Sequence, residues 1–580
     1  MNLHLKTWKK DWRLMKVFFD EGEIGDIKQR LQNLAVRHVV YCSFENRFAK
    51  SGGLAAVTTR ILPLFNALKD IQQVVLMTPF YPHIIAENKL EKTGKYAEMV
   101  YDKKKIKIEI LKYTLKDKGD GKEDIHEYYL KAPGFFEVRN PINDPYLYHE
   151  YNQELNNNAI RENALFFSKA VPLAVKAIGL ESDIVFHLQE WQTTLIALTA
   201  KIAMLSGDLT SCGTVQTMHN PFDSYILPEA LGKIVDEKYF KRYLRFTKGK
   251  GHTAYQLGLQ LVDAPITTVS DNFAKEFITD ILQTQHFAPH LQDIFLKNGV
   301  WGVNNGMFKE FPPEFSSKDQ YTLEEIKKIK LEKRKALLEI LDRYNPPERF
   351  GQLTYKGKSI THLPRRIPLL VMSGRLDPNQ KGFDILLQAV EQFTEDEIKV
   401  ILTPMPVKAS DLDYFYEVAN KCKGNVTVFP IHMVEGFHEL QTGSTFGIMP
   451  SIYEPFGAAV EYMVNGTVTI ARQTGGLVNQ IDSGECGFLF REDAEYYNLG
   501  NIRSFTAAAD NIQRRKANPW AVNMTKHLYH TIKAAARLYR EQPDVYYRFI
   551  RSGFQKARYF NWKTNAEAYM KIFRKVNSGF

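Results

Sequence analysis

An α/β fold built on two doubly wound parallel sheets is the architecture this sequence predicts, and three observations carry it. Short β-branched runs alternate with longer helical patterns over nearly the whole chain, the signature of parallel sheets with crossover helices. The 580 residues exceed what one hydrophobic core serves, so two or more domains are expected. Glycine-rich and polar departures from the pattern fall just after the strand-like runs, where open α/β sheets build their ligand crevice.

In the first half the runs predict strands at His38 to Ser43, Val74 to Thr78, Ile184 to His187, Gly213 to Met218 and Ile266 to Val269. In the second half they fall at Pro368 to Ser373, Lys399 to Thr403, Val426 to Phe429, Phe446 to Met449 and Val468 to Ile470. Between the sets lies Thr322 to Tyr344, charged, with leucines and isoleucines at helical spacing, and preceded by Phe311-Pro312-Pro313. The domain junction is therefore expected near residue 311. Lys116 to Asp124 reads as a polar surface loop.

Composition excludes several classes. Cys42, Cys212, Cys422 and Cys486 are far apart and form no metal-ligand spacing, which predicts a reducing compartment and no structural zinc. The basic amino-terminal residues lack the apolar stretch of a secretory signal and no later run approaches a membrane span, so a soluble cytoplasmic protein is expected. The net charge of +10, from 76 basic and 66 acidic residues, suits an anionic small ligand. Its basic clusters are interleaved with acidic or apolar residues and accompany no nucleic-acid motif, so no nucleic-acid partner is expected.

Each candidate site residue has a functional reading and a plainer one. After the first predicted strand, Lys50 and the pair Gly52-Gly53 open a helix, where backbone N–H groups and a positive dipole end face an anion. A turn needed for chain geometry is the plainer account. Gln189-Glu190-Trp191 and His219-Asn220 follow two further strands, placing a carboxylate, a titratable ring and an amide where sugar hydroxyls could be bound. A satisfied histidine capping a strand competes with that reading. Arg375 and Lys381 flank Leu376-Asp377-Pro378-Asn379-Gln380 and offer a planar fork and a point charge for a diphosphate, against surface salt bridging. The richest stretch joins Glu454-Pro455-Phe456-Gly457 to Thr474-Gly475-Gly476-Leu477, where a carboxylate can grip sugar hydroxyls while backbone N–H groups face phosphates. A helix-capping glutamate is the alternative, and the surrounding glycines show no evident packing need.

Read in order, these segments resemble the glycogen/starch synthase family of GT-B glycosyltransferases. Lys50 to Leu54 is similar to its K-x-G-G-L, Glu190-Trp191 to its H-D-W, His219-Asn220 to its T-x-H-N, Thr268-Val269-Ser270 to T-V-S, and Asn305-Gly306 to N-G-I-D. Arg375 to Gly382 resembles R-L-x-x-Q-K-G, Glu454 to Gly457 E-P-C-G, Thr474 to Leu477 T-G-G-L, and Tyr559-Phe560-Asn561-Trp562 the family's ending. The resemblance spans roughly residues 38 to 575.

What it implies is two Rossmann-like domains facing a central cleft: an extension at 1–36, an acceptor-side domain at 37–310, a donor domain at 311–553, and a helix at 554–580 crossing back. It implies a retaining transfer of glucose from ADP-glucose or UDP-glucose to the non-reducing end of an α-1,4-glucan, with no metal and no cofactor. Glu454, His219, Arg375 and Lys381 would carry catalysis; Lys50, Gly52, Gly53, Glu190, Asn220, Phe456, Gly457, Thr474, Gly475 and Gly476 would bind substrate.

The chain departs from the family in five places. Ala55 and Ala56 follow Leu54 where an aspartate is usual, Glu190 lengthens the carboxylate, Met307-Phe308 stands for I-D, and the stretch from Arg375 to Lys381 is one residue longer. The stretch from Glu454 to Gly466 is one residue shorter, leaving Glu461 without a defined counterpart. Two other readings stay open: a GT-B glycosyltransferase with a different sugar or acceptor, and a catalytically silent glucan-binding homologue.

Overall fold

The computed structural model describes residues 8–50, 52–116, 124–137, 153–318, 320–344, 360, 363–406, 409–422, 424–429, 433 and 435–579. Most of the polar loop expected between Lys116 and Asp124, and Ser51 of the glycine loop, lie outside the described residues. The chain divides into two compact units, 1–306 with 562–580, and 307–561.

The first unit is a nine-stranded sheet. Its strands are β1 (His38–Cys42), β2 (Gln73–Pro79), β3 (Glu91–Tyr101), β4 (Lys104–Leu115), β5 (Ile125–Lys131), β6 (Ile184–Gln189), β7 (Cys212–Met218), β10 (Ile266–Thr268) and β11 (Val300–Gly302); β8 (Tyr225–Ile226) and β9 (His252–Thr253) form a separate ribbon. The sheet order is β11-β10-β7-β6-β1-β2-β5-β4-β3. Its centre is parallel and fully buried, as the continuous Val/Ile runs require. The edge is an antiparallel meander of β3, β4 and β5, whose lysine-rich outer strands alternate with buried residues only in part. Successive strands leave β1 in opposite directions, toward β2 on one side and β6 on the other, so the switch point lies between β1 and β6.

The segment preceding β1 packs on this same unit. The Lys10 N–H donates to the Gly579 carbonyl at 3.0 Å, and its buried ammonium donates to the Leu261 carbonyl and to Asp263, which also pairs with Lys201 at 2.8 Å. Burial pulls the Lys10 ammonium down to about 7 against the opposing pull of Asp263. The closing helix Trp562–Phe573 is part of this unit, its Tyr569 hydroxyl 3.2 Å from Thr217 Oγ1 beneath the centre of the sheet.

The second unit is a parallel six-stranded sheet, β12 (Leu369–Arg375), β13 (Lys399–Met405), β14 (Val426–Val428), β15 (Phe446–Met449), β16 (Val468–Arg472) and β17 (Gly487–Phe490), ordered β14-β13-β12-β15-β16-β17. Its switch point lies between β12 and β15. The charged helix expected at 322–344 is present as Leu323–Arg343, opened by a Thr322/Glu325 capping box. Among the described residues no helix is long and apolar enough to cross a membrane.

Candidate active site

At the first unit's switch point, the loops after β1, β6 and β7 gather three polar side chains in a dry setting. Glu190 follows β6 with a left-handed φ of 62°, a conformation that costs a non-glycine residue about 1–3 kcal/mol and concentrates at functional sites. The turn aims its carboxyl inward. Oε1 accepts the His219 N–H at 2.8 Å and Oε2 the Tyr255 hydroxyl at 3.4 Å. Burial, with the charge of Glu45 added, pushes the Glu190 carboxyl up to about 8, so it is mostly neutral at pH 7.

His219 ends β7. Its Nε2 lies 2.8 Å from the Gln189 amide oxygen, which can only accept, so Nε2 carries the proton of the neutral ring. Burial lowers its pKa to about 4. Asn220 uses its side-chain oxygen to accept the Phe222 N–H at 2.8 Å and shapes the turn.

In the glycine loop after β1 an internal carboxylate competes with the anion-binding reading. Gly52 is the N-cap of the helix Gly53–Ala67. The N–H groups of Gly52 and Ala55, however, already donate to Glu45 Oε2, at 2.9 and 3.1 Å. A carboxylate of the chain itself thus takes two donors that the spacing offers to an external anion. Glu45 follows β1 closely, five residues before Lys50, and the role of its side chain needs the fold to be seen. Lys50 is exposed and makes no hydrogen bond or ion pair among the described residues.

At the second unit's switch point the groups are ionic. Lys381 sits in the loop after β12 and Glu454 in the loop after β15, and they meet as an ion pair at 2.8 Å; Ser451 Oγ donates to the same carboxylate oxygen at 3.0 Å. The Glu454 residue is 5% exposed. It does not cap the following helix, whose N-cap is Ala458, so the capping account does not describe its carboxylate. Arg375 is the last residue of β12, exposed and without a side-chain partner among the described residues.

The glycines near Glu454 do have a packing need, contrary to expectation. A Cβ on Gly475, which holds φ +48°, would stand 1.7 Å from the Glu454 carbonyl oxygen, and one on Gly476 2.1 Å from that of Phe456. The Gly476 N–H donates to that Glu454 carbonyl at 2.9 Å. Behind the loop, Gln480 donates to the Phe456 carbonyl at 2.8 Å, and the buried Arg472 donates to the Ile452 carbonyl at 2.7 Å while pairing with Glu492. Thr474 is the buried N-cap position of Gly475–Gln480, without a side-chain capping bond. The Phe456 ring is buried between Phe308 and Phe560, and Gly457 follows it. Glu461 accepts the N–H groups of Phe308 and Lys309 at 2.8 and 2.9 Å, an anchor for the start of this unit.

Comparison with known proteins bears on the class of the chain. Residues 38–293 match the starch synthase catalytic domain family, and residues 358–499 match glycosyl transferases group 1. The glycogen synthase of Thermosipho africanus is 26% identical over 553 residues, covering 91% of this chain and 96% of that protein. The glycogen synthase of Vibrio cholerae is 25% identical with the same coverage of both. The fold is that of the catalytic domain of starch synthase IV from Arabidopsis thaliana, with TM-score 0.66 and 19% identity over 94% of this chain and 100% of that one. The protein is a glycosyltransferase of the GT-B fold. Within that class it is similar to the glycogen and starch synthases, and it is a glucosyltransferase.

Proposed function

We propose that the protein transfers a glucosyl unit, with retention, from ADP-glucose or UDP-glucose to the non-reducing end of an α-1,4-glucan. The observation that carries this reading is the Lys381–Glu454 pair across the β12/β15 switch point, with Arg375 exposed at the end of β12 and unpaired among the described residues. A departing nucleoside diphosphate develops negative charge, and Arg375 and Lys381 are the cations placed to receive it. Glu454 then accepts hydrogen bonds from the sugar hydroxyls, with the Gly475-Gly476 turn at its back.

The buried polar groups of the first unit's switch point are neutral: His219 is uncharged at pH 7, with its Nε2 proton directed at Gln189. Front-face displacement suits such a set, because it needs no carboxylate nucleophile. The two glycogen synthases, matched over nearly their full length, support the glucan acceptor. The four unpaired cysteines support a reducing, cytoplasmic setting.

The test crosses ADP-glucose, UDP-glucose and other nucleotide-sugars with glycogen and short maltooligosaccharides. Glucose transfer to a glucan with one of the two donors is the expected result. Transfer of a different sugar, or transfer to a non-glucan acceptor only, would reassign the specificity; glucan or nucleotide binding without turnover would identify a silent homologue.

A further inference from the structure

The loop that carries Arg375 and Lys381 is gripped from behind by Arg515, more than 130 residues further along the chain. Arg515 stands in the short helix Ile512–Ala517 and is 1% exposed. All five of its N–H donors are engaged. Nε donates to Asp384 Oδ2 at 2.9 Å, and Nη2 to Asp384 Oδ1 at 3.4 Å and the Pro378 carbonyl at 2.6 Å. Nη1 donates to Asn379 Oδ1 at 3.0 Å and to the Phe505 carbonyl at 3.2 Å. The guanidinium lies 3.6 Å from the centre of the Phe505 ring.

These acceptors are not scattered. Pro378 and Asn379 are the middle of the Arg375–Lys381 loop, and Asp384 is in the first turn of the helix Phe383–Val390 that follows it. One planar fork therefore fixes the loop and the helix it feeds at once. The remaining bonds carry that position onward. Asn379 donates to the Thr506 carbonyl at 3.3 Å, the N–H groups of Gln380 and Lys381 both donate to the Asp377 carbonyl, and the Gln380 carbonyl accepts the Ile452 N–H at 2.8 Å. Ile452 belongs to the loop that bears Glu454. A buried ion pair is often no more stable than a well-packed apolar substitute. An arginine here, with four of its five donors directed at the loop and the helix it feeds, does what an apolar side chain cannot: it sets where Lys381 emerges.

We infer that Arg515 is a positioning residue for the diphosphate-binding loop, acting through Pro378, Asn379 and Asp384 on Arg375 and Lys381. The inference rests on the reading of those two cations as diphosphate ligands. It predicts a selective effect: a loosened loop loses the increment of affinity that the second phosphate adds, and leaves the rest of nucleotide recognition in place.

Titration calorimetry of the full chain with ADP, AMP, UDP and UMP tests it, using Arg515→Lys and Asn379→Ala, with Lys381→Ala as reference. Arg515→Lys keeps the charge and loses the fork. Asn379→Ala removes one acceptor from a half-buried loop side chain, so the test survives if Arg515→Lys does not fold. The preferred diphosphate is expected to weaken about tenfold in both variants, with its monophosphate unchanged within about twofold. Full diphosphate affinity in the folded variants, or equal loss for mono- and diphosphate, overturns the positioning role. If Lys381→Ala also leaves diphosphate affinity intact, the assignment of the loop itself fails, and the inference falls with it.

Discussion

Two switch points, one in each unit, meet the same topological requirement with opposite chemistry. In the first, burial suppresses charge: Glu190 is pushed up to about 8 and His219 down to about 4, so both are largely neutral at pH 7. In the second, a cation and a carboxylate are paired at 2.8 Å beside an exposed arginine. The glycine pairs differ likewise. Gly475 and Gly476 are pressed against the carbonyls of Glu454 and Phe456, whereas a Cβ on Gly53 would meet nothing within 4 Å and one on Gly52 only Glu45 Oε1 at 3.5 Å. One pair is demanded by packing and the other leaves room. A doubled glycine after a strand therefore has no single meaning; the backbone facing it decides.

The largest expected effect is at the crowded pair. Gly475→Ala puts a methyl group 1.7 Å from the Glu454 carbonyl at a φ of +48°, so the Glu454 loop must move. Turnover should fall by more than about a hundredfold, corresponding to ~3 kcal/mol or more of lost transition-state stabilisation, with a lower melting temperature. Normal turnover would show that the loop yields without consequence for the chemistry.

Glu454→Gln comes next. It keeps the size and one acceptor oxygen, and removes the charge that pairs with Lys381. Loss of ~3 kcal/mol at the transition state slows the reaction by about two orders of magnitude, while the fold should persist. Turnover and melting temperature on one preparation check it, and near-normal turnover in a folded variant would remove Glu454 from the site.

Glu190→Gln probes the neutral switch point through pH. The folded-state pKa is raised to about 8 from 4.5, so the folded protein holds more protons than the unfolded chain between those values. Stability from this group is then complete below about pH 4.5 and is lost as pH rises through 8. The glutamine variant cannot ionise and should lose less stability than the parent between pH 5 and 9. A gap of a few degrees in melting temperature is expected at pH 9, since ~1 kcal/mol moves a domain of 150–250 residues by about 2–4 °C. Parallel curves would mean that Glu190 is ionised throughout.

What the sequence disclosed follows from what each element buries. The central strands are buried on both faces and read as short runs rich in apolar and β-branched residues, so β1, β2, β6, β7, β12, β13, β15 and β16 are legible within a residue or two. The β3–β4–β5 edge is not: Glu91–Tyr101 and Lys104–Leu115 carry charges on their exposed positions, which hide the strand pattern. At the candidate site, Lys381 and Glu454 are visible as motif residues, but their ion pair is not. Arg515 has no local signal for this role, because Pro378, Asn379 and Asp384 lie more than 130 residues away in the chain. Nor could the sequence distinguish the two glycine pairs, since the distinction lies in carbonyl oxygens brought in from other loops.

The smallest effect, Gly53→Ala, sharpens the comparison most. Gly53 is exposed at the first position of the helix Gly53–Ala67, its φ is not left-handed, and an added Cβ meets nothing within 4 Å. Alanine there should leave melting temperature unchanged or raise it slightly, because the substitution favours the helix by up to ~1 kcal/mol. If the open space is kept for the phosphates of a donor, the same methyl group should raise the KM for nucleotide-sugar by about three- to tenfold, a change of roughly 1 kcal/mol, and leave kcat nearly as it was. Stability and donor affinity then move independently, as they cannot at Gly475. A marked loss of stability in Gly53→Ala would place both glycine pairs under the same packing constraint. An unchanged KM would leave the space beside Gly53 without a ligand.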